Sequence, residues 1–121
     1  MLRASAGELL ARLPGPPSPA WPEGARFIRA LSHGSMSVEF YSPVGRDPQT
    51  PHPQDELYVI HSGRGEFVLD GARVSCGLGD VLFAPAGADH RFENFSPDFC
   101  TWVIFWGPRG GETAPGKERV I

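Results

Sequence analysis

The stretch GDVLFAPAGADH, residues 79–90, is the part of the chain that decides the fold. It holds a short run of strand-forming residues, Val81–Ala84, which Pro85 and Gly87 interrupt before His90 begins the next run. Glycine at position 87 permits a backbone bend that turns the following strand inward. An imidazole that follows such a bend can point into the interior of a β-sheet fold. We therefore predict that His90 faces an interior site.

A second block, TPHPQDE at residues 50–56, brings two more potential ligands close together in the sequence. His52 and Glu56 cannot reach one ion from a straight strand, because their spacing at a rise of about 3.3 Å per residue would separate them by about 13 Å. Ligands bonded at about 2 Å must converge within a few ångström. The turn composition of residues 53–55 therefore predicts a bend, with His52 ending one strand and Glu56 beginning the next.

His52, Glu56 and His90 together offer two imidazoles and one carboxylate. This set suits iron, manganese, nickel or zinc, and it leaves coordination positions open for water, oxygen or substrate. A site with open positions is reactive rather than purely structural. We therefore predict a divalent transition metal here, and the sequence does not distinguish among the four metals.

The composition favours one all-β domain around these blocks. The 121 residues suffice for a single core. Fifteen glycines, thirteen prolines and eight phenylalanines suit short strands joined by tight turns. Short antiparallel strands hide their edges in a barrel or a double-sheet jelly roll. The predicted strands are Arg26–Ser32, Ser35–Ser42, Glu56–His61, Glu66–Leu69, Ala72–Cys76, Val81–Ala84, His90–Phe95 and Phe99–Trp106.

Three segments follow from this pattern. Residues 1–25 are expected to form an N-terminal helix and a Pro-rich linker arm, and residues 26–107 the barrel. Residues 108–121 are expected to form a tail that is either a loop or a partner-contacting arm. Ser5 and Glu8 have the spacing of a capping box that begins a short amphipathic helix.

Charge and cysteine content limit the partners. The net charge of −3 leaves no basic stripe for phosphates, so we expect no nucleic acid. The first residues do not read as a secretory signal, and no apolar run approaches the roughly 20 residues of a membrane span. Cys76 and Cys100 are too few for a disulfide framework, so we expect reduced thiols and a cytoplasmic location. A small polar or neutral molecule is the expected partner.

Period-two alternation predicts which side chains face the interior. On the strand that Glu56 begins, Tyr58 and Ile60 share its inward face, and His61 points away. On the strand that His90 begins, Phe92 and Asn94 share the inward face. Tyr58 and Phe92 either line a cavity or simply fill the core. The predicted contacts with the small molecule are Thr50, Gln54, Tyr58 and Phe92.

The two blocks resemble the paired motifs of cupins. In the first block, six residues separate Glu56 from Gly63, as in the first cupin motif. The resemblance implies the jelly-roll barrel of a small, single-domain bacterial cupin with a metal in its cavity. The second cupin motif is matched in full, at Gly79, Pro85, Gly87, His90 and Asn94.

The first block departs from the cupin pattern at Thr50, where a further histidine is usual. The resemblance therefore implies a reduced set of three metal ligands, His52, Glu56 and His90, with Thr50 beside the metal or bonded to a water in the vacated place. Losing an imidazole lowers metal affinity and leaves the site empty, or it frees a position for a bidentate substrate. Both alternatives stay open.

Two functions are compatible with this resemblance. One is a metal-dependent oxygenase or isomerase that acts on a small molecule. The other is a non-enzymatic module that binds a small molecule or sugar, with a weak or empty metal site. In either case, Gln54 and Asp55 are expected to orient a ligand imidazole through its second nitrogen.

Some strands are apolar on both faces, as Leu57, Val59, Val103 and Phe105 indicate. A lone thin barrel does not need a second apolar face. Because cupins commonly dimerise through such surfaces, the expected assembly is a twofold homodimer.

Overall fold

Eight β-strands and one short helix make up the regular structure of residues 2–113, which are the residues that the computed structural model describes. They are α1 Ala6–Leu10, β1 Phe27–His33, β2 Met36–Tyr41, β3 Asp55–Ser62, β4 Arg64–Leu69, β5 Ala72–Gly77, β6 Val81–Ala84, β7 His90–Glu93 and β8 Cys100–Trp106.

The strands form two antiparallel sheets that face each other. The order is β1-β2-β8-β3-β6 in the five-stranded sheet and β5-β4-β7 in the three-stranded sheet. This confirms the prediction of an all-β fold with a short N-terminal helix. Within residues 2–113 no strand of one sheet pairs with a strand of the other, so the predicted barrel takes the open, double-sheet form.

Aromatic side chains fill the space between the sheets. The ring of Tyr58 on β3 lies 5.6 Å from that of Phe67 and 4.9 Å from that of Phe92, both on the smaller sheet. Phe99 extends this cluster, with its ring 4.8 Å from that of Phe92. Because these contacts join the smaller sheet to β3, the inner faces of β1 and β2 remain free to line a cavity.

Strand β2 presents its polar set inward. Ser37, Glu39 and Tyr41 line a cavity, whereas Phe40 is fully buried on the outer face. Phe40 packs there against Trp102 and Leu9, a residue of α1. The apolar residues of β2 therefore face the helix on the outside of the sheet, and not the interior between the two sheets.

The helix lacks the predicted capping box. It ends at Leu10, and Ser5 precedes it in an extended conformation without a side-chain capping bond. Burial of Leu9 against the outer face of the larger sheet holds the helix in place. A helix of one to two turns depends on such packing, because its own hydrogen bonds are too few to stabilise it.

Alternation along β3 and β8 decides which side chains reach the interior. Tyr58 and Ile60 are buried and His61 is exposed, which confirms the predicted inward face of β3. Strand β8 is apolar on both faces, as predicted, and Val103 and Phe105 belong to the face that is buried in the core between the sheets. The outer face of β8 carries the half-buried residues Trp102, Ile104 and Trp106.

Strand β7 ends at Glu93, two residues before the predicted end. Asn94 leaves the strand with φ 50°, in the left-handed region where asparagine is tolerated. It is exposed, and its side-chain amide donates a hydrogen bond to Glu66. The prediction that Asn94 lines the cavity is therefore wrong.

The beginning of the predicted tail is a loop that packs on the same chain. The backbone N–H of Gly110 donates to the carbonyl of Pro53 at 2.7 Å, and that of Glu112 donates to Asp55 Oδ2 at 3.0 Å. The rest of the predicted tail, residues 114–121, lies outside the described residues. None of the helices in residues 2–113 is long and apolar enough to cross a membrane.

Candidate metal centre

The two sequence blocks meet through the backbone. His52 lies in the irregular segment before β3 and not at the end of a strand as predicted, because the segment between β2 and β3 forms no ladder. Its carbonyl accepts a hydrogen bond of 2.8 Å from the N–H of Gly87. This bond ties the loop before β3 to the loop before β7, so that His52 and His90 approach the same point from different loops.

His52, Glu56 and His90 converge as the sequence predicts. Each offers one ligand atom, and these atoms all lie within 4.8 Å of one another. His90 Nε2 is 2.6 Å and His52 Nε2 is 3.9 Å from Glu56 Oε1. The side chains of Glu56 and His90 are each 1% exposed, whereas that of His52 is 28% exposed. The cluster is therefore closed on one side and open at His52.

The cluster contains an unsatisfied polar atom. Within residues 2–113, Glu56 Oε2 is buried without a hydrogen-bond partner, and His90 Nε2 is buried against the other oxygen of the same carboxylate, 2.6 Å away. Burial of Glu56 Oε2 costs free energy unless something pairs with the atom. His90 Nδ1 lies 2.9 Å from the carbonyl of Ala88, and donation of its proton there leaves a lone pair on Nε2. The donor set thus fits a divalent transition metal.

Burial and charge act differently on the two imidazoles. Burial lowers the pKa of His52, and the charge of Glu56 opposes this only in part. Burial also lowers the pKa of His90, but the contacts with Glu56 and the carbonyl of Ala88 outweigh it and leave that pKa raised. A metal ion that binds His90 Nε2 must therefore compete with a proton for that atom.

Gln54 and Asp55 hold the loops rather than an imidazole. Gln54 donates hydrogen bonds of 2.9 Å to the carbonyls of Ser35 and Gly107. The carboxylate of Asp55 accepts the N–H groups of Ala86 at 2.9 Å and Glu112 at 3.0 Å, and these bonds lower its pKa. The prediction that these two residues orient a ligand imidazole is wrong, because the amide nitrogen of Gln54 and both carboxylate oxygens of Asp55 are bonded to backbone groups instead.

A cavity of about 410 Å³ opens beside His52. It lies between the inner faces of β1, β2 and β8 and the segment before β3. Glu56 and His90 do not line it, so a molecule in the cavity meets the cluster from the side of His52. Its walls are aromatic at Trp21, Phe27, Tyr41 and Phe105 and polar at Ser37, Glu39 and Gln54.

The four predicted small-molecule contacts fall into two groups. Thr50 and Gln54 line the cavity. Tyr58 and Phe92 do not, because the smaller sheet covers them and leaves them 0% and 1% exposed. The alternative of core packing is therefore correct for Phe92. Tyr58 reaches the site indirectly, since its hydroxyl donates a hydrogen bond of 2.9 Å to Gln49 Oε1.

Sequence reasoning missed a polar chain that ends at His52. Asp47 is 8% exposed and accepts hydrogen bonds from the hydroxyl of Tyr41 and from Gln49 Nε2, the latter at 2.6 Å. Gln49 Oε1 then lies 3.2 Å from His52 Nε2. In the sequence these two polar residues, Asp47 and Gln49, lie just before Thr50 in a Pro-rich turn. A turn has no periodic pattern from which the direction of a side chain can be predicted.

Glu39 was also missed as a candidate. Its carboxylate lies on the cavity wall, 3.9 Å from the guanidinium of Arg29. Burial raises the pKa of Glu39, the charge of Arg29 opposes this, and the charge of Glu56 adds to it. A carboxyl group with a raised pKa facing a cavity is suited to hold and transfer a proton.

Comparison with known proteins places these features in a wider group. An uncharacterized protein of Streptomyces coelicolor is 34% identical over 84 residues, which cover 68% of this chain and 80% of that protein. Dimethylsulfoniopropionate lyase DddQ of Ruegeria pomeroyi is 35% identical over 62% of this chain. Acireductone dioxygenase of Parvibaculum lavamentivorans is 39% identical over 49% of it. The matches span only 37% of the lyase and 35% of the dioxygenase.

Solved structures and a family match agree with the observed architecture. The fold is similar to that of a Cupin 2 conserved barrel domain protein from Salinispora arenicola, with a TM-score of 0.57 and 24% identity over 67% of this chain and 74% of the other. Residues 37–106, more than half of the chain, match the Cupin domain family. The two sequence blocks, the double-sheet fold and this match lead to one conclusion: the chain belongs to the cupin domain family.

Proposed function

We propose that this chain is a metal-dependent enzyme that acts on a small polar molecule held in the cavity beside His52. The observation that carries the proposal is the convergence of ligand atoms of His52, Glu56 and His90 within 4.8 Å, with Glu56 Oε2 buried without a partner in the described part of the chain and His52 opening onto a cavity. His52, Glu56 and His90 would hold the ion. A divalent metal held there would supply a Lewis acid toward a substrate oxygen.

Residues of the cavity wall would hold the substrate and exchange a proton with it. Trp21 and Tyr41, whose rings lie 6.0 Å apart, form an apolar wall against which a substrate can pack while water is excluded. Glu39 can hold a proton that a substrate carbon or oxygen exchanges, because burial raises the pKa of its carboxyl group. Oxygenation and proton-transfer isomerisation are the reaction classes that this set of groups supports.

The names of two relatives support an enzymatic function. One is named a lyase and another a dioxygenase, and both are more than a third identical over the matched residues. Because the chain spans about a third of their lengths, the activity of the whole of either protein does not transfer to it. What the two names support as a proposal is enzymatic chemistry on a small molecule.

A non-enzymatic binding module is the second candidate. The observation that favours it is Thr50, an exposed residue that offers no imidazole where cupins usually have one. A site with fewer strong ligands binds its ion more weakly. In this case the cavity would bind a small molecule or sugar without turnover.

The first test is the metal content of protein purified without chelator or histidine tag. We expect close to one equivalent of a transition metal, loss of that metal in His90→Ala, and retention in His61→Ala. His61 is a suitable control because it lies on the opposite face of β3 and is exposed. Retention of metal in His90→Ala would refute the ligand assignment.

Turnover distinguishes the two candidates. Metal-loaded protein would be incubated with small hydroxy acids, keto sugars and enediols, and the mixtures read by proton NMR and by oxygen uptake. The enzyme proposal predicts a product that disappears with His90→Ala and slows with Glu39→Gln at unchanged metal content. Line broadening of a compound without product would favour the binding module.

A homodimer through the outer face of the larger sheet belongs to the same proposal. Val81 and Phe83 on β6 are 59% and 48% exposed, and half-buried Leu57 and Ile104 continue the apolar face. A second copy would cover this surface. Light scattering should give twice the chain mass, and Phe83→Lys should give the monomer. We also propose a cytoplasmic location, supported by the two free, buried cysteines.

A further inference from the structure

We propose that the side-chain oxygen of Gln49 is the fourth protein ligand of the metal, in place of the imidazole that the chain lacks at Thr50. The proposal rests on the metal site proposed above. Thr50 is exposed and lies at the rim of the cavity, whereas the neighbouring Gln49 is directed at His52. Gln49 would thus occupy the coordination position that a histidine at residue 50 would otherwise fill.

The orientation of the Gln49 amide is determined by its neighbours. Its Nε2 donates a hydrogen bond of 2.6 Å to Asp47 Oδ2, and its backbone N–H lies 3.3 Å from Asp47 Oδ1. A carboxylate only accepts hydrogen bonds, so the amide nitrogen must face Asp47. The hydroxyl of Tyr58 donates to Gln49 Oε1 at 2.9 Å, which also requires an acceptor there. The amide oxygen is therefore the atom presented to the cluster.

The distance to His52 fits a shared ion. Gln49 Oε1 and His52 Nε2 are 3.2 Å apart. Two ligands bonded at about 2.1 Å to one metal lie about 3.0 Å apart at a right angle and about 3.4 Å apart in a tetrahedron. With its proton on Nδ1, His52 would direct a lone pair at the ion alongside that of the amide oxygen, and neither side chain would need to move far.

Asp47 makes this arrangement rigid. Besides Gln49, it accepts the hydroxyl of Tyr41 and the backbone N–H of Phe92, the latter at 2.7 Å. A buried carboxylate behind the amide fixes the ligand oxygen and strengthens it as a donor to the metal. Exchange of an imidazole for a carboxamide also makes the site harder, which favours Mn²⁺ over softer ions.

The affinity test uses Mn²⁺ alone, by competition titration against a chelator. Gln49→Met, which keeps the length of the side chain but offers no hard donor, should weaken binding at least about tenfold, because even outer partners of metal ligands change affinity by that factor. Thr50→Ala, at an exposed position on the cavity, should change affinity less than about twofold. An unchanged affinity in Gln49→Met would overturn the proposal.

A count of imidazoles distinguishes a ligand from a positioning residue. X-ray absorption of the Mn²⁺-loaded protein should report two imidazoles in the original chain and in Thr50→His, and three in Gln49→His. Two imidazoles in Gln49→His would refute ligation by this position. If His90→Ala also retains Mn²⁺, the metal site itself fails, an outcome separate from failure of Gln49 alone. Should Gln49→Met not fold, Gln49→His carries the test.

Discussion

His90 Nε2 lies 2.6 Å from Glu56 Oε1, and both side chains are 1% exposed. This buried pair joins β7 of the smaller sheet to β3 of the larger one, directly behind the exposed edge of His52. A buried pair with these ligand atoms, in which Glu56 Oε2 has no partner within residues 2–113, is suited to bind a cation.

Metal binding should stabilise the fold. An ion that binds only the folded state adds about 2.7 kcal/mol when its free concentration is a hundred times the dissociation constant. Thermal melting with and without Mn²⁺ should therefore show a rise in Tm for the original protein and for His61→Ala. The rise should vanish in His90→Ala. A rise of equal size in all three proteins would place the stabilising ion elsewhere.

Asp55→Ala should destabilise the protein by about 2 kcal/mol, because charged hydrogen bonds to two backbone N–H groups are lost. The same change should loosen the loop that contains Ala86 and precedes His90, and so weaken metal binding. Urea denaturation followed by fluorescence measures the first effect. Asp89→Ala, at an exposed ion pair with Arg91, is the control and should cost less than about 1 kcal/mol.

The raised pKa of Glu39 should appear in the pH dependence of stability. A carboxyl group whose pKa is higher in the folded than in the unfolded state binds more protons when folded. Its contribution to stability is fully present below its ordinary pKa of 4.5 and is lost as the pH rises through the folded value. Glu39→Gln should therefore flatten the fall in the free energy of unfolding above that pH. An unchanged slope would mean that the carboxyl is well solvated.

Leu9→Ala should cost about 2 kcal/mol, because Leu9 is 5% exposed and packs with Phe40 and Cys100 on the outer face of the larger sheet. Leu10→Ala is the matched control, since Leu10 is 44% exposed. It should leave the free energy of unfolding within about 0.5 kcal/mol. Equal costs for the two variants would contradict the docking of α1.

Much of the fold follows from local sequence. Alternation predicts the inward face of β3 because burial on one side of a strand imposes period two, and the turn residues predict most strand limits. Which face of β2 lines the cavity was harder to predict. Its apolar residues pack beneath α1 on the outer face, so the usual rule that apolar residues face the interior fails there. Alternation also cannot show whether Phe92 fills the core or lines the cavity, because that depends on how closely the opposing sheet packs against it.

The candidate site divides in the same way. His52, Glu56 and His90 were predictable because their spacing, their residue types and the intervening turn all constrain the ligand set. Asp47 and Gln49 were not, because they lie in an irregular segment where the direction of a side chain depends on tertiary contacts. From the sequence alone, Thr50 was the one residue assigned to the place of the missing imidazole.

The most direct test of the account is an anomalous diffraction measurement on crystals of the Mn²⁺-loaded protein. The account predicts one strong anomalous peak within about 2.0–2.3 Å of ligand atoms from His52, Glu56 and His90. A map with no peak among these three side chains, or with the ion bound elsewhere, would contradict the metal centre and the function built on it.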